Sequence, residues 1–319
     1  MRLYRYVSNR GGFQPRLAVA VDDHPLVDLL DGWNEVTGTR LTLESGRFLV
    51  STFALIEQGP EVWGEVRDVA RAAASLPALT LSLDEPDVRL LTPLDRVSSL
   101  RDFLAFEDHV KRGAQRRNGE VPDYWYEAPI YYKGNHRTIL GPDDECRWPH
   151  YTERLDFELE LAMVVGRRGR DVSIAEAPGY IFGFTVFNDF SARDVQAKEM
   201  SAWLGPGKGK DFANALGPCI VTADEVGTEP DLEMICRVNG QEWGRARSSE
   251  ARWGWSQMIA HVSQGEDVYP GDVYGSGTPG GCCGLDLGRS LEAGDVVELE
   301  IEHIGVLRNK ICPRQSPRT

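Results

Sequence analysis

The sequence predicts an α+β fold that is mainly β, on three observations. Short apolar and β-branched runs are separated by glycine and proline turns. Long helices do not alternate with strands, which argues against a doubly wound parallel sheet. Clear helical periodicity is confined to residues 61–75 and 99–111.

Taken in order, residues 1–92 read as a small β-rich N-terminal unit. Alternating runs at 17–21 and 25–29 suit strands around the turn at Asp22 and Asp23. In 61–75, Val62, Val66, Val69 and Ala73 form a helical stripe, and the stretch 76–93 suits a connection ending in a strand at 88–91. Residues 93–319 form the second unit. It opens with the helical segment 99–111, where Phe103, Phe106 and Val110 share one face. A loop-rich stretch carrying Tyr124, Trp125, Tyr126, Tyr131 and Tyr132 follows, expected to be an ordered lid or wall. Strands are expected at 156–165, 180–188, 219–222, 232–238 and 296–301.

The 319 residues, 41% hydrophobic, are ample for a real core. Thirty-five basic against 49 acidic residues give a net charge of -14. Such a field repels phosphate backbones and anionic lipid, so nucleic acid and membrane surfaces are poor partners. The basic clusters at 111–117 and 167–170 are local exceptions, read as solvated loops or anion contacts. No apolar stretch is long enough to span a bilayer, and the N-terminus lacks the apolar core of a signal peptide. The six cysteines form neither a CxxC pair nor a disulfide framework. Reduced thiols and a cytoplasmic location are expected.

The chemistry gathers on acids. In a strand, Glu158 and Glu160 project from the same face while Phe157, Leu159 and Leu161 project from the other. Two carboxylates in so apolar a run repel each other unless a cation joins them; the bland alternative is a solvated outer face. Asp189 ends the apolar run 180–188, where a site residue or a simple turn residue would sit. With no cysteine or histidine at ligand spacing, three carboxylates specify a hard cation: Mg²⁺, with Mn²⁺ or Ca²⁺ as alternatives. Zinc fits worse. Asp102 and His109 are spaced as two turns of one helix, so both are expected on one face. Asp102 then completes the metal shell and His109 addresses the substrate. Lys208 and Lys210 lie in a glycine-rich loop without P-loop spacing. The loop at 275–281 offers backbone N–H groups and the Thr278 hydroxyl.

These residues resemble the fumarylacetoacetate hydrolase superfamily over nearly all of the second unit. DFELELAMVVG resembles the strand with its paired glutamate ligands, Glu158 and Glu160 here. GFTVFNDFSARDVQ resembles its signature block, with a ligand aspartate at Asp189 and a substrate-site glutamine at Gln196. GKDF resembles the segment of the active-site lysine, Lys210, and YGSGTPGG with LEAGDVVELEIEHIG its threonine loop and closing strands. DFLAFEDH puts Asp102 and His109 in the roles of first ligand and catalytic histidine, and PIYYKG puts Tyr132 against substrate. The resemblance implies a mixed β-roll catalytic domain, a smaller β-rich N-terminal domain and a homodimer. It further implies Mg²⁺-dependent chemistry on a small oxo-acid. The chain departs from the family at Arg112, where many short members carry a glutamate that pairs with the histidine. Neither Glu107 nor any residue of GGCCGLDLGRS is assigned as the group that orients His109.

The leading expectation is hydrolytic C–C cleavage of a 1,3-diketo or acylpyruvate-type acid through a metal-bound enolate. His109 serves as general base and Lys210 stabilises the oxyanion, while Thr278 with Arg116 or Arg117 holds a terminal carboxylate. The alternative is a metal-dependent lyase or isomerase (decarboxylase, hydratase or tautomerase) on a 2-oxo acid, which Arg112 favours. A non-catalytic oxo-acid-binding homologue is the third reading.

Overall fold

The computed structural model describes residues 1–314 and residue 316. Its largest sheet has 11 strands. The main path runs Val27–Asp28, Arg16–Ala20, Arg2–Val7, Asn214–Thr222, Ile181–Asp189, Leu159–Val165, Asp272–Gly275, Ser99–Phe103 and Tyr131–Gly134. Most pairs are antiparallel, but Asp272–Gly275 and Ser99–Phe103 run parallel, so the sheet is mixed. A second sheet of five strands is built from Gln241–Arg247, Glu233–Val238, Val296–Ile301, Gly305–Cys312 and Glu145–Arg147.

The pattern of the central strand explains its place. Leu159, Leu161, Met163 and Val165 enter one core, which Leu299, Ile301 and Leu307 of the second sheet also line. Ala162 and Val164 enter another, with Leu3, Leu17, Leu55 and Val66. A strand buried on both faces reads as a continuous apolar run, and a charge inside it needs a local reason. Glu160 is that charge.

The sheet continues through residues 1–92: Arg2 and Leu3 pair with Val221 and Ile220. Three helices in this region went unread or were shifted in the sequence. Leu29–Thr37 begins at Asp28, whose side chain accepts from the Asp31 N–H; Thr52–Gln58 begins at Ser51, which accepts from Ala54. Pro60–Ala73 matches the expected 61–75 helix and starts with the proline its first turn tolerates. The expected strand at 25–29 is thus cut to two residues by a helix. Among the described residues, no helix is long and apolar enough to cross a membrane. The six cysteines are unpaired.

The helix expected over 99–111 is corrected. Ser99–Phe103 is a strand and the helix is Glu107–Arg116. Leu100 and Phe103 are strand-like apolar positions, and the pairings to 272–275 and 131–134 override the weak helical periodicity.

Candidate active site

Three neighbouring strands place the acids. Asp102 pairs with Gly275, and Gly275 pairs with Ala162, so the side chains of Asp102 and Ala162 share a face. Glu160 lies two residues before Ala162 on that face. Glu158 precedes the strand proper, held by a bridge to Cys283 and by its N–H donating to Asn188 Oδ1 at 3.2 Å. Asp189 ends the adjacent strand. Asp102, Glu158, Glu160 and Asp189 are all buried and offer carboxylate oxygens within 4.8 Å of one another. Glycine at 275 is what leaves the room. A Cβ there would lie 2.6 Å from Glu160 Oε2 and 2.8 Å from Asp102 Oδ1.

Cations balance part of this charge. Lys210 Nζ donates to Glu158 Oε2 at 2.6 Å and, closer still, to Asp189 Oδ2. Arg193 Nη2 is 2.8 Å from Glu158 Oε1, an ion pair without the alignment of a hydrogen bond. Burial alone would raise the Glu158 carboxyl, but Arg193 and Lys210 hold it well below the usual range. Burial, then the neighbouring acids, pushes Asp102 well up; burial and Asp102 do the same to Glu160. Burial raises Asp189 despite Lys210.

What remains is a fit test for a cation. Asp102 Oδ1, Glu160 Oε1 and Asp189 Oδ1 are buried without any hydrogen-bond partner. Three orphaned acceptors in one pocket are costly, and a divalent ion removes the cost. An all-oxygen donor set suits Mg²⁺, Mn²⁺ or Ca²⁺. The residues fit the ion.

His109 lies on the helix Glu107–Arg116, so it does not share an element with Asp102 as the sequence spacing suggested. Its Nδ1 is 2.8 Å from Asp286 Oδ2. Asp286 also accepts from Arg116 Nη1 at 2.8 Å and from the Gly281 N–H at 3.1 Å. Burial would raise this carboxyl, yet His109, Gly281 and Arg116 keep it below its ordinary value. An ionised Asp286 assigns the proton to Nδ1 and leaves Nε2 open. The histidine's partner therefore lies in GGCCGLDLGRS, the segment in which the sequence reading assigned none. Its short helix Gly284–Leu287 gives too little periodicity to aim a side chain from sequence. Arg112, at the departure from the family pattern, instead pairs with Asp108 at 2.8 Å near the surface.

One buried carboxylate joins the two halves. Asp156 accepts from the N–H groups of Gly284 and Leu285 at 2.8 and 2.9 Å, capping the helix that carries Asp286. It also takes Arg193 Nε at 2.7 Å, the same guanidinium that faces Glu158.

The other sequence candidates are placed as follows. Tyr132 donates its hydroxyl to Asp189 Oδ2 at 2.7 Å. Gln196 Oε1 accepts from Arg193 Nη1 at 3.1 Å. Thr278 is buried, its hydroxyl donating to the Cys282 carbonyl at 3.2 Å. Arg116 is engaged with Asp286, and Arg117 is exposed just past the helix end. Lys208 is exposed over the Tyr151 ring, apart from the acids. In the aromatic stretch, Trp125 is buried with its indole N–H on the Leu104 carbonyl at 2.7 Å, whereas Tyr124 is exposed. Arg193 and Asp156 were missed as site residues; a buried arginine three residues before Gln196 was the available signal.

Comparison with known proteins shows the family of the chain. A family model described as the fumarylacetoacetate (FAA) hydrolase C-terminal domain matches residues 99–312. The human protein named oxaloacetate tautomerase FAHD2A, mitochondrial, is 34% identical over 261 residues, covering 80% of this chain and 78% of that protein. A solved fumarylacetoacetate hydrolase from psychrophilic Exiguobacterium antarcticum is 25% identical with a TM-score of 0.72, over 98% of this chain and 100% of that one. A solved 5-carboxymethyl-2-hydroxymuconate delta-isomerase from Mycobacterium smegmatis is 26% identical with a TM-score of 0.68, over 99% and 100%. These relatives carry the names of a tautomerase, a hydrolase and an isomerase, all enzymes of small molecules. On the family match and the identity to its relatives, this chain belongs to the fumarylacetoacetate hydrolase family.

Proposed function

We propose that the protein interconverts the keto and enol forms of a small 2-oxo dicarboxylic acid of the oxaloacetate kind. The observation that carries the reading is the 34% identity to an oxaloacetate tautomerase over four-fifths of this chain. This puts the tautomerase alternative ahead of the C–C hydrolase expected first from the sequence.

A divalent cation held by Asp102, Glu158, Glu160 and Asp189 would supply Lewis-acid polarisation of the substrate carbonyl. The chain's own residues supply the rest. His109 Nε2, free because Nδ1 is committed to Asp286, takes a proton from the carbon next to the carbonyl and gives it to the carbonyl oxygen to form the enol; the same two transfers run backwards on ketonisation. Asp286 stabilises the imidazolium formed on the way. Lys210, held between Glu158 and Asp189, directs positive charge toward the substrate oxygen. Gln196, Tyr132, Thr278 and the exposed Arg117 are the groups proposed to hold the substrate's carboxylates; Arg116 contributes through Asp286.

Hydrolysis is the second reading, and one observation favours it. The missing histidine partner was an argument against water activation, and Asp286 removes that argument. Both readings are tested in one experiment. Enol-oxaloacetate is mixed with Mg²⁺-loaded protein and decay of the enol absorbance is followed, alongside an acylpyruvate analysed by NMR. The proposal expects faster ketonisation and an intact acylpyruvate. No acceleration, with cleavage of the acylpyruvate, would replace it by hydrolysis.

A further inference from the structure

A second set of donors lies against the first and differs from it in kind. Cys283 Sγ, an imidazole nitrogen of His109 and a carboxylate oxygen of Asp286 lie within 4.8 Å of one another. Cys283 and Asp286 come from one turn: Cys283 is the residue before the helix Gly284–Leu287, and Asp286 is inside it. Asp156 fixes that turn through the Gly284 and Leu285 N–H groups, and the bridge to Glu158 fixes Cys283 from the other side. His109 arrives from a separate helix. Arg116 occupies Asp286 Oδ1, while Oδ2 faces the ring and also accepts from the Gly281 N–H at 3.1 Å. Sulfur and oxygen from one turn and nitrogen from a second helix make a three-ligand set. That is the donor chemistry of Zn²⁺ and not of Mg²⁺.

We propose that Cys283, His109 and Asp286 form a second metal site that takes a thiophilic dication such as Zn²⁺ beside the hard four-carboxylate site. The ion replaces the proton shared by His109 Nδ1 and Asp286. That proton moves to Nε2, and the Cys283 thiol releases its own to solvent, so one proton leaves per ion bound. With Nε2 protonated and Nδ1 ligated, the ring has no free base. Zn²⁺ therefore inhibits without displacing the hard ion. The inhibition rests on His109 being the base, but the binding does not.

The test uses full-length protein saturated with Mg²⁺, titrated with Co²⁺ and then with Zn²⁺. One equivalent of Co²⁺ should bind with a thiolate-to-cobalt charge-transfer band, and Zn²⁺ should bleach that band while Mg²⁺ content stays constant. Cys283→Ser should lose the band, weaken Zn²⁺ binding by at least roughly 100-fold and keep its Mg²⁺-supported turnover. Cys283→Ala serves if the serine variant does not fold. No thiolate band in the wild-type protein, loss of Mg²⁺ one for one, or unchanged Zn²⁺ affinity in the variant overturns the proposal. The optical readout stands whether or not the protein turns over oxaloacetate.

Discussion

His109 Nδ1 sits 2.8 Å from Asp286 Oδ2, and Arg116 holds the other oxygen of the same carboxylate at the same distance. The arrangement fixes both the tautomer and the tilt of the imidazole. Asp286→Asn should therefore lower kcat by roughly 100-fold or more while Mg²⁺ affinity stays unchanged. Steady-state kinetics paired with calorimetric Mg²⁺ titration separates the two effects.

Glu160 carries an orphaned oxygen beside a second buried acid, Asp102. Glu160→Gln should abolish the stabilisation that Mg²⁺ confers. It should also raise the melting temperature of the metal-free protein above that of metal-free wild type at neutral pH, because the cost of keeping a buried acid protonated there is gone. Thermal melts with chelator and with Mg²⁺ check both directions.

Much of this centre was legible in the sequence. Glu158, Glu160 and Asp189 stand out because charge inside or at the end of an apolar run needs a partner. Asp102 was found for a mistaken reason: spacing suggested a helix, whereas strand register with Gly275 brings it to Glu160. Asp286 and Asp156 were not legible, since their roles depend on a single-turn helix meeting residues far away in the chain. The strands expected at 156–165, 180–188, 232–238 and 296–301 lie close to their observed limits, whereas the one at 219–222 begins at Asn214, and Gln241–Arg247, Asp272–Gly275 and Gly305–Cys312 went unread. The helices at 29–37 and 52–58 begin inside apolar runs and are distinguished only by their caps.

Asp156 binds a buried guanidinium and caps the helix bearing Asp286. Asp156→Ala removes one of the two carboxylates that face Arg193, leaving Glu158, and uncaps the helix Gly284–Leu287, so stability should fall by about 3 kcal/mol. Urea unfolding measures the loss. Turnover should fall as well, through the displaced Asp286.

Gly275 leaves space that two ligand carboxylates occupy. Gly275→Ala pushes a methyl group against Glu160 and Asp102, and Mg²⁺ affinity should drop by roughly 10- to 100-fold. Calorimetric titration reads this directly.

Burial and mutual repulsion raise the carboxyls of Asp102 and Glu160. The folded metal-free protein therefore keeps protons that the unfolded chain has released. This pair's contribution is fully present below the ordinary carboxylate range and is lost as pH rises through the raised folded values. Mg²⁺ competes with those protons, so the Mg²⁺-induced rise in melting temperature should grow from acid to neutral pH. A rise independent of pH would contradict the assignment.

The central claim is proton transfer at the carbon beside a 2-oxo group by His109 over the four-carboxylate centre. Its most direct measurement is NMR of deuterium entry at C3 of oxaloacetate in D₂O, comparing Mg²⁺-loaded protein with His109→Gln. Exchange should be fast with the wild-type protein, and both His109→Gln and chelator should return it to the uncatalysed rate. Exchange that persists unchanged in His109→Gln would contradict the account.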